Sequence, residues 1–435
     1  MPEGREAVER AAVTELGNGH VKHGGAVVAG PWVFVTGVGL STASSGDTAA
    51  KAGSDTHLRW GREQGEREAD VIYDRLEAVL ADVDSSLSGV VRLDQYYRNP
   101  RVVDPYHVVR RRRFDGRIPP STSVLQAGFL HRNATIDVSA IAVKNRLRDD
   151  VELTYAPELY VPSSSGYCTA SRVGDWVFGA GAMASGESGI APAARLQGGM
   201  IWGGTEAALE TDYILAQRIA PALETAGSSL DDVVKAQVYV RDIDDIPAFN
   251  RVWREFYDAE TPATTVLPSS GFGIAEGRIE INVIATTKDS QLPRETVRSE
   301  DFASYEGHSA GVRVGDMLFI SGLLAVDSKG IVESAVEDET TPYFASSIEA
   351  QMEHILRTAE GICTAAGTSL RNTVRAQQFH TDLHDFYPAY RVWQRRLPDT
   401  PIPFSGMQVP EPMPVAGCTV ALDLWVHVPG NGVDD

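Results

Sequence analysis

One short pattern recurs three times along the chain at almost constant spacing. A glycine opens it, an apolar run follows and a second glycine closes it: Gly30-Pro-Trp-Val-Phe-Val-Thr-Gly37, Gly174-Asp-Trp-Val-Phe-Gly-Ala-Gly181 and Gly315-Asp-Met-Leu-Phe-Ile-Ser-Gly322, with starts 144 and 141 residues apart. A second marker keeps the same step. Ser86-Leu87-Ser-Gly-Val-Val-Arg92, Ser229-Leu230-Asp-Asp-Val-Val-Lys235 and Ser369-Leu370-Arg-Asn-Thr-Val-Arg375 have their leucines 143 and 140 residues apart. Two independent markers on one period mean a triplicated chain. The period exceeds the roughly 20–50 residues of solenoid repeats, so each copy is a whole domain. A length of 435 residues agrees, since a domain takes roughly 150 residues.

Within each copy the pattern predicts strand, strand, helix, strand, short helix, strand. Apolar residues recur at helical spacing over Glu68–Val83, Ala207–Ala226 and Ile348–Ala366, and Gly227 and Gly367 stand where a C-terminal cap belongs. A β-branched run such as Val233–Val240 follows. Short helices are expected at Tyr106–Phe114, Ala248–Phe256 and Pro388–Arg396, then final strands at Thr135–Val143, Arg278–Ala285 and Thr419–Val428. The domains read as a tail 1–18, unit one 19–145, a linker 146–163, unit two 164–288, a linker 289–304 and unit three 305–430. Helices on one side of a mixed sheet leave the other face apolar. Three such faces can cover one another about an approximate three-fold axis, with clefts at the unit boundaries.

Charge narrows the partners. A formal net charge of −20 repels phosphate, which argues against nucleic acid and anionic membrane and for a small-molecule substrate. Cys168, Cys363 and Cys418 are odd in number and far apart, which fits a reducing compartment better than a disulfide framework. With no apolar leader and no 18-residue apolar run, a soluble cytoplasmic protein is expected. Gly-x-Ser-x-Gly, Walker and His-Glu-x-x-His motifs are all missing from the sequence.

The second unit resembles the Rid (YjgF-type) imine/enamine deaminases over nearly its whole length. The likeness is carried by Gly174-Asp-Trp-Val-Phe, Ala226-Gly-Ser-Ser-Leu-Asp-Asp-Val-Val-Lys-Ala-Gln-Val-Tyr-Val-Arg-Asp242, Phe249-Asn-Arg-Val-Trp-Arg-Glu-Phe256, Pro262-Ala-Thr-Thr-Val266 and Ile279-Glu-Ile-Asn-Val-Ile-Ala285. The flanking units look like diverged copies. The resemblance implies an α+β fold of three chorismate-mutase-like units, closed as an intramolecular pseudo-trimer with a central β-barrel and outer helices, with further oligomerisation left open. It implies hydrolysis of imines or enamines in inter-unit clefts without metal or organic cofactor: an Arg holds the substrate carboxylate, and a Glu with backbone groups positions water.

Carried over position by position, the family's sites become unequal. The carboxylate-binding Arg position falls on Ser121, Ala263 and Phe404, so a bidentate contact to carboxylate is lost unless another Arg replaces it. The acid position falls on Asp137, Glu280 and Ala421, and the active-site Tyr position on His23, Tyr167 and His308. Glu280 in an apolar strand suits a general base or water-orienting group with a raised pKa, against a salt-bridged structural carboxylate. Asp137 repeats that pattern with a shorter reach. His23 and His308 could shuttle protons near neutral pH, against solvated loop histidines.

Tyr167 would donate to substrate or merely pack. Asn250, with Tyr390 as its third-unit counterpart, could contact substrate or cap a loop. Thr36 and Ser321 line a cleft or simply end a strand, with Ala180 as their apolar equivalent. Arg110–Arg113, four in a row on a helix, point around its circumference and read as a solvated or salt-bridged face, with one of them available to replace the missing Arg. Cys168 has no partner that marks it as a nucleophile.

These residues predict a metal-free hydrolase or deaminase acting on a C=N, enamine or related electrophilic bond, centred on Glu280 and Asp137. A ligand-binding or scaffold protein that kept the fold and lost turnover is the alternative. Cyclic amide hydrolases of the barbiturase type, which need a Lys-activated Ser in each unit, are a further one; here Lys144 and Lys288 sit at strand ends.

Overall fold

The computed structural model describes residues 8–17, 19–42, 61–198, 202, 204–257, 261–303, 307–336 and 347–430. The first third of the chain runs β1 (Glu9–Leu16), β2 (Val21–Ala29), β3 (Trp32–Gly39), α1 (Gln64–Asp82), β4 (Val90–Tyr97), α2 (Val103–Arg113), β5 (Ser121–Leu125), β6 (Gly128–Phe129) and β7 (Ile136–Val143). The second runs β8 (Glu152–Thr154), β9 (Ala170–Val173), β10 (Trp176–Gly179), β11 (Ser185–Gly186), β12 (Gly189–Ile190), α3 (Glu206–Ile214), a π turn (Leu215–Ile219), α4 (Ala220–Thr225), β13 (Val233–Val240), α5 (Ile246–Phe256), β14 (Ala263–Pro268), β15 (Gly271–Phe272) and β16 (Ile279–Thr286). The third runs β17 (Arg294–Val297), β18 (Gly311–Val314), β19 (Met317–Ile320), β20 (Val326–Asp327), β21 (Gly330–Ile331), α6 (Ser347–Ala365), β22 (Thr373–His380), α7 (Phe386–Arg396), β23 (Phe404–Gln408) and β24 (Val420–His427).

Each third builds one mixed sheet with one strand order: β3-β7-β4-β5, β10-β16-β13-β14 and β19-β24-β22-β23. β4–β5, β13–β14 and β22–β23 are parallel and the other neighbours antiparallel. The fold is therefore α+β. The opening glycines of the first marker explain themselves here: Gly30, Gly174 and Gly315 turn the chain between paired strands at φ 55, 54 and 56°, where a side chain would strain the backbone.

Two expectations need correction. Residues 9–16, read as tail, form β1 on the edge of the first sheet, and the linker residues hold β8 and β17, which pair with β9 and β18. These segments carry too little apolar periodicity to register as strands, and they form because an open sheet edge offers unpaired backbone groups. Nor do the sheets close into a central barrel among the described residues. They stay separate, joined edge to edge where β15 pairs with β5 and β6 with β23.

Every residue of β4, β7, β13, β16, β22 and β24 is buried, so both sheet faces are covered. One face of each sheet meets its own helices in a separate apolar cluster. The other faces meet one another. Trp32, Phe34, Trp176, Phe178, Phe319 and Trp425 from all three sheets form one apolar cluster with Val91, Val234 and Val374. A register shift follows Val90, Val233 and Thr373 in the three pairings. A bulge at that place lets the valine and the cation after it both turn inward, which gives the second marker its physical reason.

Those cations, Arg92, Lys235 and Arg375, enter a buried polar cluster. Arg92 binds Asp94 Oδ1 at 3.0 and 2.8 Å, Gln237 Oε1 at 3.0 Å and Asn282 Oδ1. Arg375 pairs with Asp94 Oδ2 at 2.7 Å and lies 4.4 Å over the Trp425 ring; Lys235 pairs with Asp423 at 2.8 Å. Burial alone would raise the Asp94 pKa, but Arg375 and Arg92 hold it below the ordinary carboxylate value.

A carboxyl held low contributes stability above its unfolded value of about 3.9 and loses it as pH falls through the folded one. Asp94→Asn leaves two buried guanidiniums uncompensated and is expected to lose about 3–5 kcal/mol in urea unfolding at pH 7, with the deficit shrinking under more acidic conditions. An unchanged midpoint at pH 7 would contradict this role.

Candidate active site

The closing glycine of the first marker lies at each junction between sheets. A Cβ on Gly37 would sit 2.6 Å from Phe404 O and 3.3 Å from Ser405 Cα. One on Gly322 would sit 3.2 Å from Thr265 Cα. One on Gly181 would collide with Glu280 Oε1 and approach Thr122 Cα to 3.1 Å. The first sheet thus meets the third at Gly37, the second meets the first at Gly181, and the third meets the second at Gly322. Gly181 N donates to Ser121 O at 3.1 Å and Gly322 N to Thr264 O at 3.0 Å. The acid positions Asp137, Glu280 and Ala421 each belong to one junction.

At the second junction Glu280, on β16, is 3% exposed. Its Oε1 accepts Ser123 N from β5 at 3.2 Å, and among the described residues it has no ion pair. Burial pushes its pKa up to about 8, against the Ser123 hydrogen bond. Beside it a cavity of about 20 Å³ is lined by Tyr167, Gly181, Arg218 and Val283, room for one water. Burial raises the Tyr167 hydroxyl pKa, with Arg218 and Arg110 opposing the shift and Glu280 adding to it. Arg218 also donates to Tyr160 O at 2.7 Å.

At the first junction Asp137, on β7, is 1% exposed with Oδ1 unpartnered among the described residues. Burial pushes its pKa up to about 8, opposed by Arg75. A cavity of about 300 Å³ opens here, lined by His23, Thr36, Gly37, Thr42, Arg75 and β1. His23 does not titrate near neutral pH as expected: burial lowers its pKa to about 4. His308, at the third junction, is lowered to about 3 by burial, with Arg254 and Lys235 adding to it. Both are neutral imidazoles at pH 7. The third junction has neither acid nor roomy cavity among those described.

The remaining expected residues separate. Thr36 lines the large cavity with Oγ1 unpartnered, whereas Ser321 is fully used, donating to Ser309 O at 2.6 Å and accepting Thr264 N at 2.9 Å. Ser121 Oγ donates to Pro119 O at 3.0 Å, back onto its own chain. Tyr390 OH ties unit three to unit one, accepting Lys22 N at 2.8 Å and donating to Lys22 O at 3.1 Å. Asn250 is buried on α5 with its amide unpartnered among the described residues. Burial pushes the Cys168 thiol far above its usual value, which disfavours the thiolate that a nucleophile needs. Among the described residues no three His, Cys, Asp or Glu side chains come together to hold a metal.

Sequence reasoning missed Arg75 and Arg218. Glu68, Glu210 and Gln351 each accept the backbone N–H just before their unit's last strand, at Thr135, Arg278 and Thr419, all 2.9 Å, which fixes the helix alignment. The π turn Leu215–Ile219 then adds one residue to the second helix, and only with it counted do Arg75, Arg218 and Thr358 coincide. Such insertions are frequent at functional sites.

Arg110 departs from the expected solvated face. It is fully buried, donating to Gln95 Oε1 at 2.8 Å and to Ser165 O at 2.6 Å, where the other units have Trp253 and Trp393. Arg111, Arg112 and Arg113 are the expected surface: Arg111 holds Ser163 O and Ser164 O, and the other two pair with Asp70. His107, one turn before Arg110, is buried with both ring nitrogens unpartnered among the described residues.

The sequence profile described as endoribonuclease L-PSP matches residues 160–287 and 299–411, more than half of the chain. The mitochondrial protein Mmf2 of Schizosaccharomyces pombe is 35% identical over 78 residues, 18% of this chain and 62% of that protein. The 3-aminoacrylate deaminase RutC of Acinetobacter baylyi is 40% identical over 58 residues, 13% of this chain and 45% of RutC. These matches span about half to two thirds of either relative. A solved chorismatase structure covers 78% of this chain and 93% of its own at 13% identity and a TM-score of 0.48.

Two outcomes follow from the geometry around Glu280. Between its ordinary value of 4.5 and about 8 the folded state holds a proton that the unfolded state has lost, so stability falls with rising pH, by up to ~1.4 kcal/mol per pH unit from this group. Glu280→Gln is therefore expected to unfold at higher urea than wild type at pH 9 and to lose that advantage near pH 4; the opposite ordering would mean an ion-paired carboxylate. Gly181→Ala is expected to lose about 1–3 kcal/mol through overpacking and to displace Glu280, which thermal unfolding and activity measured together would detect.

Proposed function

Because the chain belongs to the endoribonuclease L-PSP (Rid/YjgF) family, we propose that it is a deaminase-type hydrolase of an imine or enamine, working at the Glu280 junction. The observation that carries this reading is a buried carboxyl at the meeting of two sheets, un-ion-paired among the described residues, with a pKa pushed up to about 8. Such a group still holds its proton near neutral pH and can both give and take one. Relatives named 3-aminoacrylate deaminase and 2-iminobutanoate/2-iminopropanoate deaminase support the reaction class.

The step is water addition. Glu280 protonates the nitrogen of the C=N group as the carbon–nitrogen π bond breaks and a water oxygen bonds to the carbon. The Glu280 carboxylate then takes the proton the water loses. Collapse of the resulting carbinolamine gives a carbonyl compound and ammonia, and an enamine enters the same route after protonation at carbon. The water-sized cavity beside Gly181 suits the nucleophile, and Tyr167, which lines the same cavity, can donate its hydroxyl hydrogen to the substrate.

The same reading treats the three units as an intramolecular pseudo-trimer. Its support is the cyclic order of contacts at Gly37, Gly181 and Gly322 and the apolar cluster to which all three sheets contribute.

Freshly generated imines, with and without a carboxylate, test the proposal by direct spectroscopy. Turnover is expected to fall about 10²–10⁴-fold in Glu280→Gln and, in wild type, to decline above about pH 8 as Glu280 loses its proton. Equal rates in mutant and wild type would overturn it.

A further inference from the structure

We infer that one small inorganic anion, chloride in ordinary salt, is held inside the molecule beside Arg375, in the central polar cluster where units three and one meet. The site is no part of the clefts, and the inference does not depend on the deaminase reading. It comes from comparing the partners of the three repeat-equivalent cations.

Two of those cations are well supplied. Arg92 has Asp94 Oδ1, Gln237 Oε1 and Asn282 Oδ1. Lys235 Nζ donates to Thr265 Oγ1 and Ile320 O, both at 2.8 Å, and pairs with Asp423.

Arg375 is not. It is 2% exposed and pairs through Nη1 with Asp94 Oδ2 at 2.7 Å, while its Nε and Nη2 have no acceptor among the described residues. The Trp425 ring, 4.4 Å away, does not answer them. A stacked ring covers the face of a guanidinium, and the N–H groups lie in its plane.

At the other two junctions the neighbouring unit supplies the missing acceptor. Asn282 reaches Arg92 and Asp423 reaches Lys235 from the last strand of the next unit. Their counterpart is Ser139, which is shorter and whose Oγ instead accepts Gly37 N at 3.1 Å. The facing wall has shrunk as well. Thr122, Thr265 and Ser405 hold one position, paired with Asp94, Gln237 and Gln377. The two threonine hydroxyls bond to Asp94 and Lys235, whereas Ser405 Oγ is buried and unpartnered among the described residues. Gly37 lies against both serines, since a Cβ on it would stand 3.5 Å from Ser405 Cβ. Two small side chains thus stand together where the other junctions have a threonine with an amide or a carboxylate. The equivalence of the junctions sets the room they leave at the unused edge of the Arg375 guanidinium.

Charge decides what fills that room. Three cations of the cluster face two carboxylates. Asp137, whose pKa burial pushes up to about 8 against Arg75, holds its proton at pH 7 and adds no charge. An uncompensated buried cation is costly, and Nε, Nη2 and the Ser405 hydroxyl all have hydrogens to give. A water could accept from them but would have to place hydrogens of its own. A chloride only accepts, through charge-assisted hydrogen bonds, and it restores the negative charge that Ser139 lacks relative to Asp423.

Crystals of the intact chain, dialysed into and grown from sodium bromide, test the position. One anomalous peak is expected at Arg375 between Ser139 and Ser405, and long-wavelength data would reveal a chloride kept from purification. In solution the thermal midpoint is expected to lie about 2 °C or more higher in about 200 mM chloride than in gluconate of equal ionic strength. Ser139→Asp, which gives unit one the carboxylate that unit three has in Asp423, is expected to lose both the peak and the chloride dependence. Ser405→Thr, which restores the threonine of the other units, carries the same expectation should Ser139→Asp not fold. A wild-type structure with a water or no anomalous scatterer at Arg375 overturns the inference. So does a wild-type midpoint indifferent to chloride, or an unchanged chloride dependence in the folded variant.

Discussion

Three sheets meet over a cluster that has no access to water, and the charges in that cluster decide how they can face one another. Arg92, Lys235 and Arg375 hold repeat-equivalent positions, so strict repetition would aim three cations at one small volume. The repeats instead diverge around them. Asp94 stands where the other units carry Gln237 and Gln377, and Asp423 where they carry Ser139 and Asn282. Asp94 answers Arg92 and Arg375, Asp423 answers Lys235, and Gln237 donates to Gln377 Oε1 at 2.7 Å. Each ion pair but one crosses between sheets, so the sheets are held in one angular relation, and the junction glycines come to lie against the neighbouring strand.

That arrangement explains why the acids behave as they do. A carboxyl on the last strand of one sheet points into a seam closed by another sheet, and the seam supplies a backbone N–H or little else. Without a paired cation the charged form is penalised by several kcal/mol. Glu280 and Asp137 both rise to about 8 for this one cause. The same burial pushes His23 and His308 the other way, out of the neutral range. One physical term thus converts the expected proton shuttles into fixed acceptors and the acids into groups that hold a proton at neutral pH.

The triplication and the sequence of strands and helices within each unit were legible because glycine turns, β-branched strands and capped helices are local signals that repeat. That Glu280 and Asp137 are acids set within apolar strands was legible too, and the structure buries both. Arg75 and Arg218 were not, because the π turn displaces the second helix by one residue and its sequence carries no mark of the insertion. Arg110 was visible but misread: four consecutive arginines suggest a surface, and only the helix's contacts show that the first of them points inward. The strands at residues 9–16, 152–154 and 294–297 escaped notice because their pairing is imposed by an open sheet edge rather than by their own composition.

Arg110 also shows what a fused chain permits. In a symmetric assembly of identical units, replacing the core tryptophan of the short helix would empty all three cores at once. Here Trp253 and Trp393 remain fully buried, and only the first unit exchanges that volume for a guanidinium. Helix α2 reaches Ser165 through Arg110, and Tyr167, two residues on, lines the cavity beside Gly181. Gln95 and Tyr97 accompany it, where the second unit has Val238 and Val240, and Tyr97 OH donates to Gln95 Oε1 at 3.0 Å. The buried charge is thereby given neutral acceptors, Gln95 from its own unit and Ser165 from the next, and the polarity reaches the cleft between those two units. Divergence of this kind needs separate codons for each unit, and the central ion pairs, which fix which unit faces which, make the separate changes land in predictable places.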